Sequence, residues 1–219
     1  MLKRTIKYFF DNLFCKNIGI KKKIGTIDSW HVITNNLMNA VCYSGGVGKD
    51  ITFETEIAEK YNCEVYLFDP SPTGIETAKN NQRQNFKFYP IGLSGKDGVI
   101  NFSTPEDMNE GSYRIPTEAS KIMQFECKKL SNIMKCNNHL SVELVKLDIE
   151  GFEYDVIVDL MNSSIKINQI CLEYHHFFKN ISIIETIKSI FLLKRNGYIL
   201  HHKIGMDYSF IHKSCLNKL

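Results

Sequence analysis

The chain has 219 residues, 43% of them hydrophobic and 23% charged, which suits one globular domain with a sizeable core. A formal net charge of +3 is too small to imply a nucleic-acid partner, and none is expected. Seven cysteines without a C-x-x-C pair argue against a disulfide framework or zinc site, and no apolar run approaches the ~20 residues of a membrane span.

A reducing, cytoplasmic setting follows from that cysteine usage and from a start that lacks the features of a secretory signal. Leu2, Ile6, Phe9, Phe10, Leu13 and Phe14 fall on one side of a predicted N-terminal helix, with Lys3, Arg4 and Lys7 elsewhere. Packing on the domain or on a second subunit is the ordinary reading of such a helix, and peripheral contact with an anionic membrane is the other. Lys21 to Gly25 reads as a basic linker, so the expected division is 1–25 for helix and linker and 26–219 for the domain. Trp30 is expected to cap a sheet edge rather than to floor a pocket.

The central stretch runs from Asn39 to Pro72. Ala40 to Tyr43 is a short apolar strand broken by Ser44-Gly45-Gly46-Val47-Gly48. Ile51 to Tyr61 has helical apolar spacing, and Val65 to Phe68 is a second buried strand ending at Asp69-Pro70. Ser71-Pro72 starts a helix running to about Asn81. Phe86 to Leu93 reads as a strand, with Leu93 and Val99 flanking a hairpin connection. The polar segment 104–120 is long for a compact domain, which marks it as a lid or acceptor-binding segment.

Ile122 to Lys128 is a strand and Leu130 to Met134 a short helix. Val142 to Leu147 is a strongly apolar strand whose end carries Asp148-Ile149-Glu150-Gly151-Phe152-Glu153. A helix follows, then a strand over Gln169 to Leu172 that ends in Glu173-Tyr174-His175-His176. A helix over Ile183 to Leu193 and strands over Tyr198 to Ile204 and Tyr208 to His212 close the chain. Strands alternating with helices predict an α/β fold with a mainly parallel sheet, and the final strand pair predicts an antiparallel last strand.

In such sheets ligands bind beyond the carboxyl ends of the strands. Gly45, Gly46 and Gly48, then Asp69, Gly92, Asp148 and Glu173 to His176 all fall at such ends. A dinucleotide fingerprint would need a third small residue where Ile51 stands, and Asp50 at the helix start would repel a pyrophosphate. S-adenosylmethionine has no phosphate, and its cationic groups tolerate nearby acids, so the turn fits that cofactor better than NAD. Asp69, 21 positions beyond Gly48, is spaced to take ribose hydroxyls. Glu153 is expected to stabilise the first turn of its helix. Asp148, ending a buried strand, needs a polar partner and is assigned to function. Alternation puts Glu173 and His175 on one side of their strand and Tyr174 and His176 on the other. His175 is the candidate general base, with Asp148 as its rival. A divalent metal on Asp148, Glu173 and His175 is the lesser reading beside direct acid–base use.

Five blocks occur in order: Tyr43 to Glu54, Phe68 to Pro72, Gly92 to Ser94, Leu147 to Tyr154 and Glu173 to His176. Together with Trp30 they resemble the FkbM-type family of S-adenosylmethionine-dependent methyltransferases, over roughly Trp30 to His212. The resemblance implies a class I methyltransferase Rossmann-like fold with seven strands, an inserted hairpin, and methyl transfer usually to oxygen, often on a sugar or polyketide hydroxyl. It implies that the glycine turn and Asp69 hold the cofactor while Asp148 and the Glu173–His176 segment face the acceptor; the expected cofactor residues are Ser44, Gly45, Gly46, Gly48, Asp50, Asp69, Pro70 and Gly92, and the expected catalytic ones His175, Asp148 and Glu173. Many members carry an acid where this chain has Cys42 and a glycine where it has Ser44. Asp50 and Glu54 are then the residues expected to meet the cofactor's methionyl part. The expected activity is O-methylation of a glycan or related small metabolite, by a monomer or homo-oligomer. The alternative is a cofactor-binding module without turnover, acting as partner or scaffold.

Overall fold

Side chains of strand β3 (Val41–Gly45) alternate between two cores, Cys42 toward one face of the sheet and Tyr43 toward the other. Its neighbours β4 (Glu64–Phe68) and β9 (Ser141–Leu147) obey the same period, with Leu67 and Leu144 on the face of Cys42, and Phe68 and Val145 on that of Tyr43. Strands apolar on both faces belong to a sheet covered on both sides. The computed structural model describes residues 15–18, 21–26, 29–107, 110–117 and 120–218. The helix expected over Leu2 to Phe14 lies outside them.

In chain order the remaining elements begin with β1 (Lys21–Ile24), β2 (Trp30–Ile33), α1 (Thr52–Tyr61), α2 (Pro72–Asn80) and β5 (Phe86–Tyr89). Then come β6 (Gly92–Leu93), β7 (Gly98–Ser103), β8 (Ile122–Lys128), α3 (Leu130–Cys136) and α4 (Glu153–Met161). Last come β10 (Lys166–Glu173), α5 (Ile183–Arg195), β11 (Tyr198–Ile204) and β12 (Asp207–His212), followed by a 3-10 helix over Lys213–Lys218. The main sheet has seven strands in the order β5-β4-β3-β9-β10-β12-β11. The pairs β5–β4, β4–β3, β3–β9 and β9–β10 are parallel, and β12 is antiparallel to both its neighbours. The expected mainly parallel sheet with an antiparallel last strand is therefore present.

Local chemistry fixes the helix starts that matter for the site. Asp50 accepts from the backbone N–H of Thr52 at 3.0 Å and from its hydroxyl at 2.9 Å, holding the entry to α1. Ser71 accepts from Gly74 N–H at 3.0 Å, with Pro72 in the first turn of α2.

Four expectations change. Lys21 to Gly25 is no linker: Lys21–Ile24 pairs antiparallel with Trp30–Ile33. Gln169 ties that hairpin to the sheet, its side-chain oxygen accepting from Ile33 N–H and its amide donating to Ile33 O, both at 2.8 Å. Trp30 is 2% exposed and lies edge-on to Phe53 inside a core, neither capping an edge nor lining a pocket. The strand expected over Phe86 to Leu93 splits around Pro90, which has no N–H to give a ladder. Its second part, β6, leaves the main sheet and pairs parallel with β8. Because β8 lies between β6 and β7, Leu93 and Val99 do not flank a hairpin; the inserted hairpin is β7 with β8.

Candidate active site

Register brings the strand tips level. Gly45 is opposite Phe68 on one side and Leu147 on the other, and Leu147 is opposite Leu172. The residues that follow, Gly46, Asp69, Asp148 and Glu173, therefore leave the same edge of the sheet side by side. They border a cleft of about 480 Å³, a volume ordinary for a small-molecule site.

The glycine turn is held by bonds from every neighbour. Gly46 N–H donates to Phe68 O at 2.9 Å, and Asp148 N–H donates to Gly45 O at 3.1 Å. Asp69 Oδ2 accepts from Val47 and Gly48 N–H, each at 2.9 Å, and its Oδ1 accepts from Ser71 N–H at 2.8 Å. Burial raises the Asp69 carboxyl above its ordinary range, opposed by those bonds. At 5% exposed, Asp69 is thus the clamp of the turn as well as a wall of the cleft. Gly46 has φ +84, and a Cβ there would overlap the Asp148 carbonyl oxygen, so only glycine lets β3 and β9 approach this closely.

A buried cation lies beneath the turn. Lys146 Nζ donates to Gly46 O at 2.7 Å, lies 3.6 Å from Glu54 Oε1 and 3.9 Å from Asp148 Oδ2, and stands 4.9 Å over the Trp30 ring. Ser44 donates to Glu54 Oε1 at 2.5 Å. Sequence reading missed Lys146. Its signal is a lysine inside the apolar run Ser141–Leu147, two positions before Asp148.

The residues at the tips of β9 and β10 form a second group. His175 is 2% exposed. Its Nδ1 and Glu153 Oε1 are 3.1 Å apart, and its backbone N–H donates to the same oxygen at 3.1 Å. Its Nε2 faces Asp148 Oδ1 at 3.7 Å, Glu150 Oε2 at 3.7 Å and Glu173 Oε2 at 3.9 Å. Burial alone depresses the imidazole, but the hydrogen bond and charge of Glu153, with the charges of Glu150 and Asp148, outweigh it and raise His175 to about 9. Burial, then the charge of Asp148, raises the Glu173 carboxyl. Glu150 takes a left-handed backbone (φ +55), uncommon for a residue with a side chain, and also lines the cleft.

Of the residues singled out in the sequence, Gly46, Gly48, Asp50, Asp69, Pro70, Gly92, Asp148 and Glu173 line the cleft. Ser44 does not: strand alternation turns its hydroxyl to the face of α1, where Glu54 takes it. Glu54 is likewise buried there and does not border the cleft. Gly45 is also behind the wall, close-packed where a Cβ would come within 2.8 Å of Leu93. His175 does not border the cleft; its Nε2 lies behind the carboxylates, 3.7 Å from Asp148 Oδ1. His176 shares a hydrogen bond of 3.1 Å with Thr186 and does not border the cleft. From the 104–120 segment, Glu110 to Tyr113 form one wall, beside the aromatic pair Phe102 and Phe152.

Comparison with known proteins gives a consistent family. A family model described as the Methyltransferase FkbM domain matches residues 31–200. The human "Probable methyltransferase-like protein 24" is 25% identical over 154 residues, 68% of this chain and 37% of that protein. "Hexuronic acid methyltransferase AglP" of Haloferax volcanii is 25% identical over 116 residues, 52% of this chain and 48% of that protein. The matched regions thus span less than half the length of these relatives. Among solved structures, the fibrillarin pre-rRNA processing protein of Methanococcus jannaschii overlaps 90% of this chain and 85% of its own, at 10% identity and a TM-score of 0.46.

Proposed function

The chain belongs to the family of methyltransferase FkbM domains, and from that premise we propose that this domain is an S-adenosylmethionine-dependent O-methyltransferase acting on a hydroxyl of a sugar or related small metabolite. One observation carries the choice of cofactor. The cleft is lined by six acids, Asp50, Asp69, Glu110, Asp148, Glu150 and Glu173, against a single lysine, Lys49. Such a lining disfavours a pyrophosphate and favours a ligand bearing sulfonium and ammonium charges. The residues present fit the group. The turn offers backbone at Gly46 and Gly48, a Cβ on Gly48 would meet nothing within 4 Å, and Phe68, Pro70 and Leu93 supply apolar wall for a base. Support for a sugar hydroxyl comes from the relative named for hexuronic acid.

When bound, the cofactor supplies a methyl group on a sulfonium, already a good leaving group. The chain's contribution is to orient and to hold the proton. Asp148 and Glu173, fixed at adjacent strand tips, align the acceptor hydroxyl, and a carboxylate of this group takes its proton as the O–CH3 bond forms and the S–CH3 bond breaks. His175, pinned by Glu153, stands behind those carboxylates and turns Nε2 toward them.

Calorimetric titration of the full chain with S-adenosylhomocysteine tests the shared premise. Binding in the micromolar range, lost in Asp69→Ala, is expected. No binding by folded wild-type chain at high micromolar ligand would overturn the reading.

A further inference from the structure

Three potential ligand atoms converge at the wall of the cleft from separate places in the chain. They are a carboxylate oxygen of Asp148, beyond β9, one of Glu173, the last residue of β10, and an imidazole nitrogen of His175, and all lie within 4.8 Å of one another. The Nε2 separations of 3.7 and 3.9 Å to Asp148 and Glu173 are too long for hydrogen bonds. They fall within the range open to two ligands of one cation, since ligands about 2.1 Å from an ion are roughly 3 Å apart at right angles and roughly 4.2 Å apart across it.

The imidazole supplies an independent observation. Its side chain is 3% exposed, and Nε2, aimed into the carboxylates, makes no hydrogen bond among the described residues. On the other side Nδ1 pairs with Glu153, itself 0% exposed and held by Gly151 N–H at 2.9 Å. A carboxylate on one ring nitrogen fixes the tautomer that leaves the other free to ligate, which is how metal-bound histidines are commonly oriented. The charges agree. Four carboxylates, Asp148, Glu150, Glu153 and Glu173, surround one imidazole. The nearby ammonium, Lys146, bonds Gly46 O, neighbours Glu54 and reaches one of these carboxylates, Asp148 Oδ2, at 3.9 Å.

We propose that Asp148, Glu173 and His175 bind one divalent cation of the Mn2+ type, with its remaining positions open to the cleft. Two oxygens and one nitrogen suit such an ion, and three protein ligands leave room for the acceptor, as catalytic rather than structural sites do. The role of the ion, though not its binding, rests on the methyl-transfer reading. A hydroxyl oxygen bound to the cation loses its proton more easily. That proton passes to Glu150, whose Oε2 faces the same Nε2, as the oxygen takes the methyl group. Open neighbouring positions favour acceptors with two adjacent oxygens, such as the vicinal diols and hydroxy acids of sugars.

The test uses the full chain after treatment with a chelator and its removal. MnCl2 is titrated while the electron paramagnetic resonance signal of free hexaaqua Mn2+ is followed, and S-adenosylhomocysteine binding is measured separately with EDTA present. One Mn2+ per chain is expected, with affinity about tenfold or more weaker in Glu173→Gln and unchanged in the surface control Glu185→Gln. Unfolding midpoints establish that each variant is folded. No Mn2+ binding by folded wild-type chain up to about 1 mM would overturn the site, as would equal affinity in Glu173→Gln and His175→Gln. Mn2+ binding without S-adenosylhomocysteine binding would leave the ion site standing and overturn the methyl-transfer reading.

Discussion

Replacing Gly46 by alanine puts one methyl group where β3, β4 and β9 meet, and its cost can be built from the parts. A side chain at φ +84 enters the left-handed region, at about 1–2 kcal/mol. Its Cβ would also overlap the Asp148 carbonyl oxygen, which is backbone and cannot swing aside. Relief requires the turn to move away from Asp148, and three bonds resist: Gly46 N–H to Phe68 O, Lys146 Nζ to Gly46 O, and Asp148 N–H to Gly45 O. Losing two of them adds about 1 kcal/mol each, more where the ammonium is left buried. The expected destabilisation is about 3–5 kcal/mol. Gly48→Ala is the control, because at φ +53 its Cβ would meet nothing within 4 Å. It incurs only the backbone term, about 1–2 kcal/mol. Urea unfolding followed by the emission of Trp30, the sole tryptophan, measures both. Variants equally stable within about 0.5 kcal/mol, inside the scatter of such extrapolations, would refute the packing argument.

Other expected outcomes test the groups beneath and beside the turn. Lys146→Met strands the buried carboxylate of Glu54 and should cost about 3–5 kcal/mol, part of it recovered when Glu54→Gln is added; no recovery in the double variant would detach Glu54 from the lysine. Ser44→Ala removes the hydroxyl from Glu54 and should lower stability by about 1–2 kcal/mol while S-adenosylhomocysteine affinity stays within about twofold. A large affinity loss with stability intact would instead return Ser44 to the cofactor site. Burial, with help from Lys21, lowers His201 from 6.5 to about 3. The unfolded chain therefore binds this proton first, so stability is complete above pH 6.5 and declines as pH falls toward 3. At pH 4.5 the loss from this residue is about 2–3 kcal/mol, and His201→Leu should flatten that part of the stability profile measured by urea unfolding at pH 4.5 and 7. An equal slope in both chains would show that other groups carry the acid sensitivity.

Element order was legible because each strand of the main sheet is an apolar run of a few residues and each helix has its own spacing. The positions of Gly46, Asp69, Asp148 and Glu173 at strand ends were legible for the same reason, since a parallel sheet aligns such ends whatever fills its middle. Less legible was Gly92-Leu93, where the chain leaves one sheet for another after Pro90. Nothing local says that β8, thirty residues on, will take the place beside it.

Sequence by itself determined the class of fold, the level at which the polar groups cluster and the acidic character of the cleft, all consequences of alternation and of charges placed next to apolar runs. Only the tertiary structure decided what each group faces. Ser44 turned to Glu54, Lys146 slid under the glycine turn against Trp30, and His175 went behind the carboxylates with Glu153 at its back. The physical reason is that a period of two says which residues share a face, whereas the partners on that face come from helices and strands far away in the chain. A histidine at a strand tip reads as a base; four carboxylates folded around it make it the candidate ligand of a cation.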